Sequence, residues 1–348
     1  MAKVNTESVH IKYMLRAIEL AELGRGSVSP NPMVGCVIVH NSLIIGEGYH
    51  QKYGEAHAEV NAIASVKDKS LLKEATLYVS LEPCAHFGKT PPCADLIVKY
   101  QLKEVIIAAV DSNPLVEKKG IQKLEQAGIR VTTGVLEQNV RNQNVRFFTQ
   151  MEKKRPYIIL KWAQTKDGFV ARTNFDSKWI SNSLSRQQVH RWRTEEDAIL
   201  VGTNTARYDN PRLNARDWHG KDPLRLVVDR ELKLEESLHL FDGKQDTIIY
   251  NHQLNKTVGK TEWAKMDVSI DAKAIVADLY ARNIQSLIVE GGAAVLGDFI
   301  ANDLWDEARV FTGNAKFGLG IPAPILSCIP EAHYSIKEDL LTVYKHHV

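Results

Sequence analysis

Short apolar runs alternate with segments of helical periodicity along this chain, and a polar stretch at residues 139–155 divides the alternation into two halves. Each half has the pattern of an α/β domain, in which helices cover a sheet. The chain has 348 residues, more than one hydrophobic core usually serves. We therefore expect two α/β domains, residues 1–150 and residues 151–348, with Pro156 preceding the second series of apolar runs.

In the first half, apolar residues at helical spacing from His10 to Leu23 predict an amphipathic helix. Two apolar runs, Val34–Val39 and Leu43–Gly48, predict a β-hairpin around the polar residues between them. The rest of this half predicts, in chain order, a helix at 58–66, a strand at 75–81, a helix after Cys93 and a strand at 105–110.

The second half continues the alternation. Its apolar runs predict strands at 157–162, 198–201, 224–228, 247–250 and 286–289. Its helical periodicity predicts helices at 183–194, 272–282 and 293–301.

Composition narrows the function classes. The 44 basic and 42 acidic side chains leave a formal charge of +2, unlike a chain that grips a nucleic acid along its length. The N-terminus shows no apolar leader segment, and no apolar stretch is long enough to cross a bilayer. We expect a cytoplasmic protein that has neither a nucleic-acid nor a membrane partner.

The four cysteines are too few for a disulfide scaffold in a chain of this length, so the close pair Cys84 and Cys93 suggests metal binding. With His57 they offer three zinc ligands, and a catalytic zinc site typically keeps its fourth position for water. Glu59, two residues after His57, is a carboxylate suited to moving a proton between that water and a leaving amine. The pattern favours hydrolytic deamination of an amidine-like ring carbon.

A closed structural zinc site is the alternative, with His86 or His50 as the fourth ligand. That arrangement leaves Glu59 without a role. Taken singly, each histidine and cysteine is also compatible with an ordinary surface or core residue.

The second half has no G-x-G-x-x-G sequence after a predicted strand. Instead, the strand ending at Val289 leads through Glu290–Gly292 into a helix that begins near Ala293. Free backbone N–H groups at such a helix start suit a cofactor phosphate, although a tight turn that needs glycine has the same sequence. Val201–Thr205 repeats the arrangement with hydroxyl donors.

Three motifs, Pro30–Gly35, Gly54–Glu59 and Glu82–Cys93, resemble those of the bacterial bifunctional riboflavin-biosynthesis deaminase/reductase family. Eight residues separate Cys84 from Cys93, where nucleic-acid deaminases have two. The long spacing is the normal form in the family that the chain resembles. The resemblance extends over nearly the whole chain, through Lys161, 167–168, 176–180, 201–202, 209–213 and 289–292.

The resemblance implies a cytidine-deaminase-like α/β/α sandwich followed by a dihydrofolate-reductase-like α/β domain. It implies zinc-dependent deamination of 2,5-diamino-6-ribosylamino-4(3H)-pyrimidinone 5′-phosphate, a small-molecule pyrimidine ribotide. Reduction of the ribosyl group to ribityl by NADPH is the implied second step. Homo-oligomerisation is a further family expectation.

The resemblance also implies site residues. One zinc per deaminase domain lies on His57, Cys84 and Cys93, with Glu59 as the catalytic proton shuttle. The implied deaminase substrate residues are Asn31, His50, His86 and Lys89, and those of the reductase are Ser177, Arg193, Leu213, Arg216 and Glu290. The implied cofactor residues are Ala163, Trp179, Thr205, Asp209, Gly292, Ala293, Ala294, Val295, Leu296, Gly297 and Asp298. Lys161 or Glu290 is the charged group that assists proton transfer, with an ordinary salt bridge as the alternative for each.

Two segments depart from the family pattern. Residues 161–168 carry Trp162, Gln164 and Lys166 in place of small residues, and residues 312–320 lack the usual sequence. A nucleic-acid-modifying deaminase with a binding module, and a non-catalytic protein with structural zinc, remain competing hypotheses. Asn31 as a simple turn residue and Lys89 as a surface charge are the corresponding alternatives for single residues.

Overall fold

The computed structural model describes residues 6–85, 91–113, 117–178, 180–267 and 269–346. The chain separates into two compact units, Met1–Lys154 (unit 1) and Arg155–Val348 (unit 2). Both units are α/β, as the alternation of apolar runs predicts.

Unit 1 is a five-stranded sheet with helices on both faces. Its elements in chain order are α1 (Thr6–Glu22), β1 (Gly35–His40), β2 (Leu43–Tyr49), α2 (Ala58–Ser65), a 3₁₀ helix (Lys69–Glu74), β3 (Thr76–Leu81), α3 (Cys93–Lys99), β4 (Glu104–Ala109), α4 (Lys119–Gln126), β5 (Arg130–Thr133), α5 (Glu137–Gln143) and α6 (Val145–Lys153). The strand order is β2-β1-β3-β4-β5; β1 runs antiparallel to its two neighbours, and β3, β4 and β5 are parallel. The predicted hairpin is confirmed as β1–β2.

The alternation of side chains along β1 divides the core of unit 1 into two layers. Cys36 and Ile38 point to one face and pack with buried residues of α2, α3 and α4. Val37 and Val39 point to the other face and pack with α1, α5 and α6. Because successive residues of a strand face opposite ways, apolar side chains at every position require a helical cover on both faces. This arrangement confirms the predicted α/β/α sandwich.

Helix α2, which follows the first candidate zinc ligand, lies directly on β2. A Cβ atom at Gly48 would lie 2.3 Å from the Ala62 nitrogen and 2.6 Å from the Ala58 oxygen. Only glycine permits this approach, so Gly48 fixes the distance between the helix and the sheet.

Unit 2 is built on a ten-stranded sheet. Its elements are β6 (Tyr157–Gln164), β7 (Phe169–Ala171), α7 (Ser183–Glu195), β8 (Ala198–Gly202), α8 (Thr203–Asp209), β9 (Leu224–Val228), a 3₁₀ helix (His239–Phe241), β10 (Thr247–Asn251), β11 (Lys256–Val258), β12 (Thr261–Lys265), α9 (Ala272–Ala281), β13 (Ser286–Val289), α10 (Ala293–Ala301), β14 (Glu307–Thr312), β15 (Ile321–Pro322), β16 (Ala332–Ile336) and β17 (Asp339–Lys345). The strand order is β11-β12-β10-β9-β8-β13-β6-β14-β17-β16, parallel from β12 to β14. The strands β7 and β15 form a separate pair.

The polar stretch at residues 139–155 is helical for most of its length. It contains the end of α5 and all of α6, and Phe147 and Phe148 of α6 are buried in the core of unit 1. The stretch is therefore part of a packed layer rather than a turn between domains. No helix in the described ranges is long and apolar enough to cross a membrane.

Replacement of Gly48 by alanine is expected to push α2 away from β2 and lower the free energy of unfolding of unit 1 by about 1–3 kcal/mol. All six tryptophans lie in unit 2, so tryptophan fluorescence follows that unit while far-UV circular dichroism follows both. In urea unfolding, we expect Gly48→Ala to shift the dichroism transition and leave the fluorescence transition in place.

The control is Gly297→Ala, at a helical position where a Cβ would meet no atom within 4 Å. It is expected to leave unit 2 unchanged or stabilise it by up to about 1 kcal/mol. A Gly48→Ala protein with an unshifted dichroism transition contradicts the close-packing argument.

Candidate functional site

The three predicted zinc ligands come together in unit 1 from three separate places in the chain. His57 immediately precedes α2, Cys84 follows β3, and Cys93 is the first residue of α3. Their ligand atoms all lie within 4.8 Å of one another. The fold thus assembles a cluster that sequence spacing alone only suggested.

The distances within the cluster fit a zinc ion. The Nδ1 atom of His57 lies 3.6 Å from the sulfur of Cys84 and 3.3 Å from the sulfur of Cys93. Tetrahedral zinc with ordinary Zn–N and Zn–S bonds requires nitrogen–sulfur separations of about 3.5 Å. One imidazole and two thiols are also the donors that zinc prefers.

The cluster has three protein ligands among the described residues. His50, offered above as a fourth ligand, has both ring nitrogens engaged: Nδ1 lies 3.1 Å from the carbonyl oxygen of Ala56, and Nε2 lies 3.2 Å from the amide nitrogen of Asn31. The geometry therefore favours an open catalytic site over a closed site with His50.

The thiols are electrostatically prepared for a cation. A hydrogen bond from the Cys93 thiol lowers the pKa of Cys84 to about 4, and the neighbouring His57 adds to this effect against the cost of burial. The backbone N–H of Cys93 also donates to the Cys84 sulfur over 3.3 Å. Cys84 is therefore a thiolate near neutrality, the form that binds metal.

Glu59 lies in the first turn of α2 and is 3% exposed. Burial raises its pKa to about 7, and the negative charge of Cys84 adds to the rise. A carboxyl group balanced between its two forms near neutral pH is suited to accept a proton and return it.

Two predicted substrate residues of unit 1 lie together beside the cluster. The Asn31 side chain contacts His50, whose ring centre is 5.4 Å from that of His57. Burial lowers the pKa of His50, and the neutral ring donates from Nδ1 to Ala56 and accepts at Nε2 from Asn31. His86 and Lys89, the other two predicted residues, lie outside the described residues.

Glu82 is a supporting residue whose role the sequence did not reveal. Its two carboxylate oxygens accept backbone N–H groups of Asp111, Lys118, Gly120 and Ile121 over 3.0–3.4 Å. A Cβ at Gly120 would lie 1.9 Å from the Pro83 oxygen. Glu82 thus connects the segment that carries Cys84 to the start of α4. In the sequence, the only indication of this role is that Glu82 directly precedes Pro83 and Cys84.

In unit 2, a cavity of about 900 Å³ lies at the carboxyl ends of β6, β8 and β13. Ligands of open α/β sheets bind at this edge. The predicted residues that line the cavity are Lys161, Ala163, Ser177, Arg193, Thr205, Asp209, Leu213, Arg216, Glu290, Gly292, Ala293, Ala294, Val295 and Leu296.

Glu290 is the centre of a buried ionic cluster in this cavity. Its oxygens accept two hydrogen bonds from Arg193, 2.9 and 2.8 Å long, and one from Lys161 over 3.4 Å. Burial alone would raise the pKa of Glu290, but Arg193 and Lys161 outweigh it and lower the pKa to about 2. Glu290 is ionised at neutral pH and holds both cations in place.

The loops after β8 and β13 form the part of the cavity that fits a cofactor phosphate. A Cβ at Gly202 would lie 2.8 Å from the Val295 side chain, and one at Gly292 would lie 3.2 Å from the Thr205 hydroxyl. Gly292 caps α10, so a helix N-terminus and a hydroxyl group border the same narrow space. Backbone donors without an intervening side chain suit a dinucleotide pyrophosphate.

Three residues predicted to bind the cofactor, Gly297, Asp298 and Trp179, are not among the residues that line the cavity in the described part of the chain. The Asp298 carboxylate accepts the backbone N–H of Ala272, the first residue of α9, over 2.8 Å. Neither Asp298 nor Gly297 is among the cavity-lining residues of the described chain, since the helix carries them away from its N-terminus. Trp179 lies outside the described residues. Ser177 donates to Asp209 over 3.0 Å, which links a predicted substrate residue to a predicted cofactor residue.

Sequence reasoning missed further cations that line the cavity, namely Lys178, Arg186, Arg212 and Arg230. Arg230 follows β9, Lys178 and Arg186 lie at the start of α7 or just before it, and Arg212 lies in the loop between α8 and β9. Part of this set could have been found from the sequence by looking for basic residues near the carboxyl ends of predicted parallel strands.

Family models match both units of this chain. The family model for the cytidine and deoxycytidylate deaminase zinc-binding region matches residues 7–109, and the model for the RibD C-terminal domain matches residues 156–322. The chain is 41% identical to riboflavin biosynthesis protein RibD of Aquifex aeolicus, over 89% of this chain and 88% of the relative. It is also 41% identical to RibD of Bacillus amyloliquefaciens, over 90% and 86% of the two chains.

Solved structures give the same result. A diaminohydroxyphosphoribosylaminopyrimidine deaminase/5-amino-6-(5-phosphoribosylamino)uracil reductase from Thermotoga maritima matches with a TM-score of 0.88 and 36% identity, covering 97% of this chain and 99% of that one. RibD of Acinetobacter baumannii matches with a TM-score of 0.88 and 32% identity, covering 97% and 98%.

The Glu290 cluster predicts how the stability of unit 2 depends on pH. Because folding lowers the pKa of Glu290 from its ordinary value of 4.5 to about 2, its ionised form stabilises unit 2 above pH 4.5, and this contribution is lost as the pH falls towards 2. Between pH 6 and pH 3, we expect the stability advantage of the wild type over Glu290→Gln to shrink by about 2 kcal/mol.

Urea unfolding followed by tryptophan fluorescence measures this difference. The exposed Glu236 provides the matched control, and Glu236→Gln is expected to show no such pH-dependent gap. A wild-type advantage over Glu290→Gln that stays constant from pH 6 to pH 3 contradicts the ionic role of Glu290.

Proposed function

This chain belongs to the RibD family of riboflavin-biosynthesis proteins, and from that membership we propose which reactions its two sites perform and which residues perform them. It is a deaminase and a reductase of riboflavin biosynthesis, with a zinc-binding deaminase region followed by a reductase domain. We propose that unit 1 deaminates 2,5-diamino-6-ribosylamino-4(3H)-pyrimidinone 5′-phosphate, and that unit 2 then reduces the ribosyl side chain of the product to ribityl with NADPH.

The observation that carries the deaminase proposal is the cluster of His57, Cys84 and Cys93 with buried Glu59 beside it. These three residues would hold zinc, which would supply a Lewis acid that brings the pKa of water into the neutral range. Glu59 takes a proton from the attacking water and delivers it to the amine that leaves as ammonia. Its pKa of about 7 suits both transfers.

The substrate side of the deaminase is Asn31 with His50. The neutral His50 ring accepts one amide proton of Asn31, which orients the side chain and leaves the amide oxygen available to donors on the pyrimidine. His86 and Lys89 are proposed to complete this side, with Lys89 meeting the phosphate.

In unit 2, bound NADPH would supply hydride for reduction at C1′ of the ring-opened ribosylamine. Glu290 has no proton to give at neutral pH, so its role is to orient Arg193 and Lys161. We propose that Lys161 is the charged group that assists proton transfer, and that Ser177, Leu213 and Arg216 line the substrate end of the cavity. The cofactor is proposed to lie along Ala163, Thr205, Asp209 and the start of α10.

We further propose that the enzyme is homo-oligomeric and cytoplasmic and has no nucleic-acid partner. Sedimentation of the purified chain measures its oligomeric state.

Substitution of Glu59 by glutamine is expected to abolish ammonia release, by at least about 10³-fold, because the amide cannot carry the proton. Zinc content measured by atomic absorption is expected to stay at one ion per chain, since the three ligands remain. The assay supplies the diaminopyrimidine ribotide to the zinc-loaded protein and follows ammonia, then NADPH absorbance once the cofactor is added.

The control is Glu55→Gln, at an exposed position of the loop that leads into α2, which is expected to keep wild-type rates. Unchanged turnover in Glu59→Gln would overturn the proposed proton shuttle. Ammonia release by the wild type without later NADPH oxidation would overturn the two-step reaction.

A further inference from the structure

Asn144, at the junction of α5 and α6, is 3% exposed. Both the oxygen and the nitrogen of its side-chain amide form hydrogen bonds with one distant residue. Its Oδ1 accepts the backbone N–H of Met33 over 2.7 Å, and its Nδ2 donates to the Met33 carbonyl oxygen over 3.0 Å. A neighbouring β-strand would pair with Met33 in the same way.

The segment before β1 has few backbone donors of its own. Pro30 and Pro32 have no N–H group, and the N–H of Asn31 is used in a turn with the Val28 oxygen, 2.8 Å away. The strand itself begins only at Gly35. Met33 offers this segment both a backbone donor and a backbone acceptor, and Asn144 binds both.

Met33 lies between two contacts that belong to the substrate side of the deaminase. Two residues before it, Asn31 contacts His50 over 3.2 Å. One residue after it, the Val34 oxygen accepts the backbone N–H of His50 over 2.9 Å. A shift of Met33 would move Asn31 relative to His50, while the three zinc ligands are held by other segments.

We propose that Asn144 is a positioning residue of the deaminase, which holds the Asn31 segment where it meets the pyrimidine ribotide. The proposal rests on the function proposed above for Asn31. Asn144 acts on substrate affinity through Met33 and not on the metal or on the proton shuttle.

The test is Asn144→Ala in the full-length, zinc-loaded enzyme. The KM for ammonia release from the ribotide is expected to rise at least tenfold, with kcat within threefold of the wild type and zinc at one ion per chain. NADPH oxidation with the deaminated product supplied directly is expected to be unchanged, since Asn144 lies in unit 1. Asn142→Ala, at an exposed position of α5, is the matched control and should leave the KM unchanged.

Asn144→Asp provides a second variant that keeps the acceptor for the Met33 N–H but loses the donor to the Met33 oxygen. Its KM is expected to fall between those of the wild type and Asn144→Ala, and this result decides the question if the alanine variant does not fold. Hydrogen exchange at the Met33 amide is expected to be faster in Asn144→Ala and close to the wild-type rate in Asn144→Asp.

The possible failures are distinct. A wild-type enzyme that releases no ammonia from the ribotide refutes the proposed function. With an active wild type, faster Met33 exchange at an unchanged KM overturns the positioning role. Parallel losses of kcat and zinc in the folded variants also overturn it, because they mark a general loss of structure.

Discussion

Parallel strand pairing is the constraint on which the reductase site depends. In the register of unit 2, Val289 of β13 lies opposite Leu160 of β6. Glu290 follows Val289 and Lys161 follows Leu160. The register therefore brings the carboxylate and the ammonium group together at the carboxyl edge of the sheet. Val289 also lies opposite Leu200 of β8, which places the Gly202 loop beside the Gly292 loop. Lys161 and Glu290, 129 positions apart in the chain, meet because β6 and β13 are neighbours.

The two buried carboxyl groups at the proposed sites show how partners decide protonation. Glu59 and Glu290 are both strongly shielded from water, and burial alone raises the pKa of each. Glu290 has two hydrogen-bonded cations, which reverse the effect, whereas the nearby charge of Cys84 raises the pKa of Glu59 further. One carboxyl group is therefore suited to moving a proton and the other to holding cations. The same residue type is suited to two tasks because the partners of Glu290 outweigh the effect of burial, whereas those of Glu59 do not.

The sequence predicted what depends on local pattern. The hairpin β1–β2, helix α10 and the α/β class of both halves follow from periodicity and turn residues, and the structure confirms them. The motif around Cys84 and Cys93 predicted the metal cluster, since the residue types themselves are diagnostic. The sequence could not reveal Asn144, because an asparagine in a polar stretch has the same sequence signature whether it is exposed or buried. Its role depends on Met33, 111 positions away.

Residues 161–168 and residues 312–320 are hydrogen-bonded neighbours in the fold. The Gly313 N–H donates to the Gln164 oxygen over 2.9 Å, and the Lys166 N–H donates to the Ala315 oxygen over 2.8 Å. Within the first segment, the indole N–H of Trp162 donates to the Gln164 side chain over 2.9 Å. Trp162 also lines the cavity.

These contacts join the two segments into one structural unit. Asp167 strengthens the connection, since its carboxylate accepts the backbone N–H groups of Phe317 and Gly318. A large side chain at position 162 requires a fixed orientation at the cavity wall, and the bond to Gln164 supplies it. Gln164 is in turn held through its own carbonyl by residue 313, so the backbone of the second segment supports the geometry of the first. The shape of this side of the cavity is thus set by both segments together.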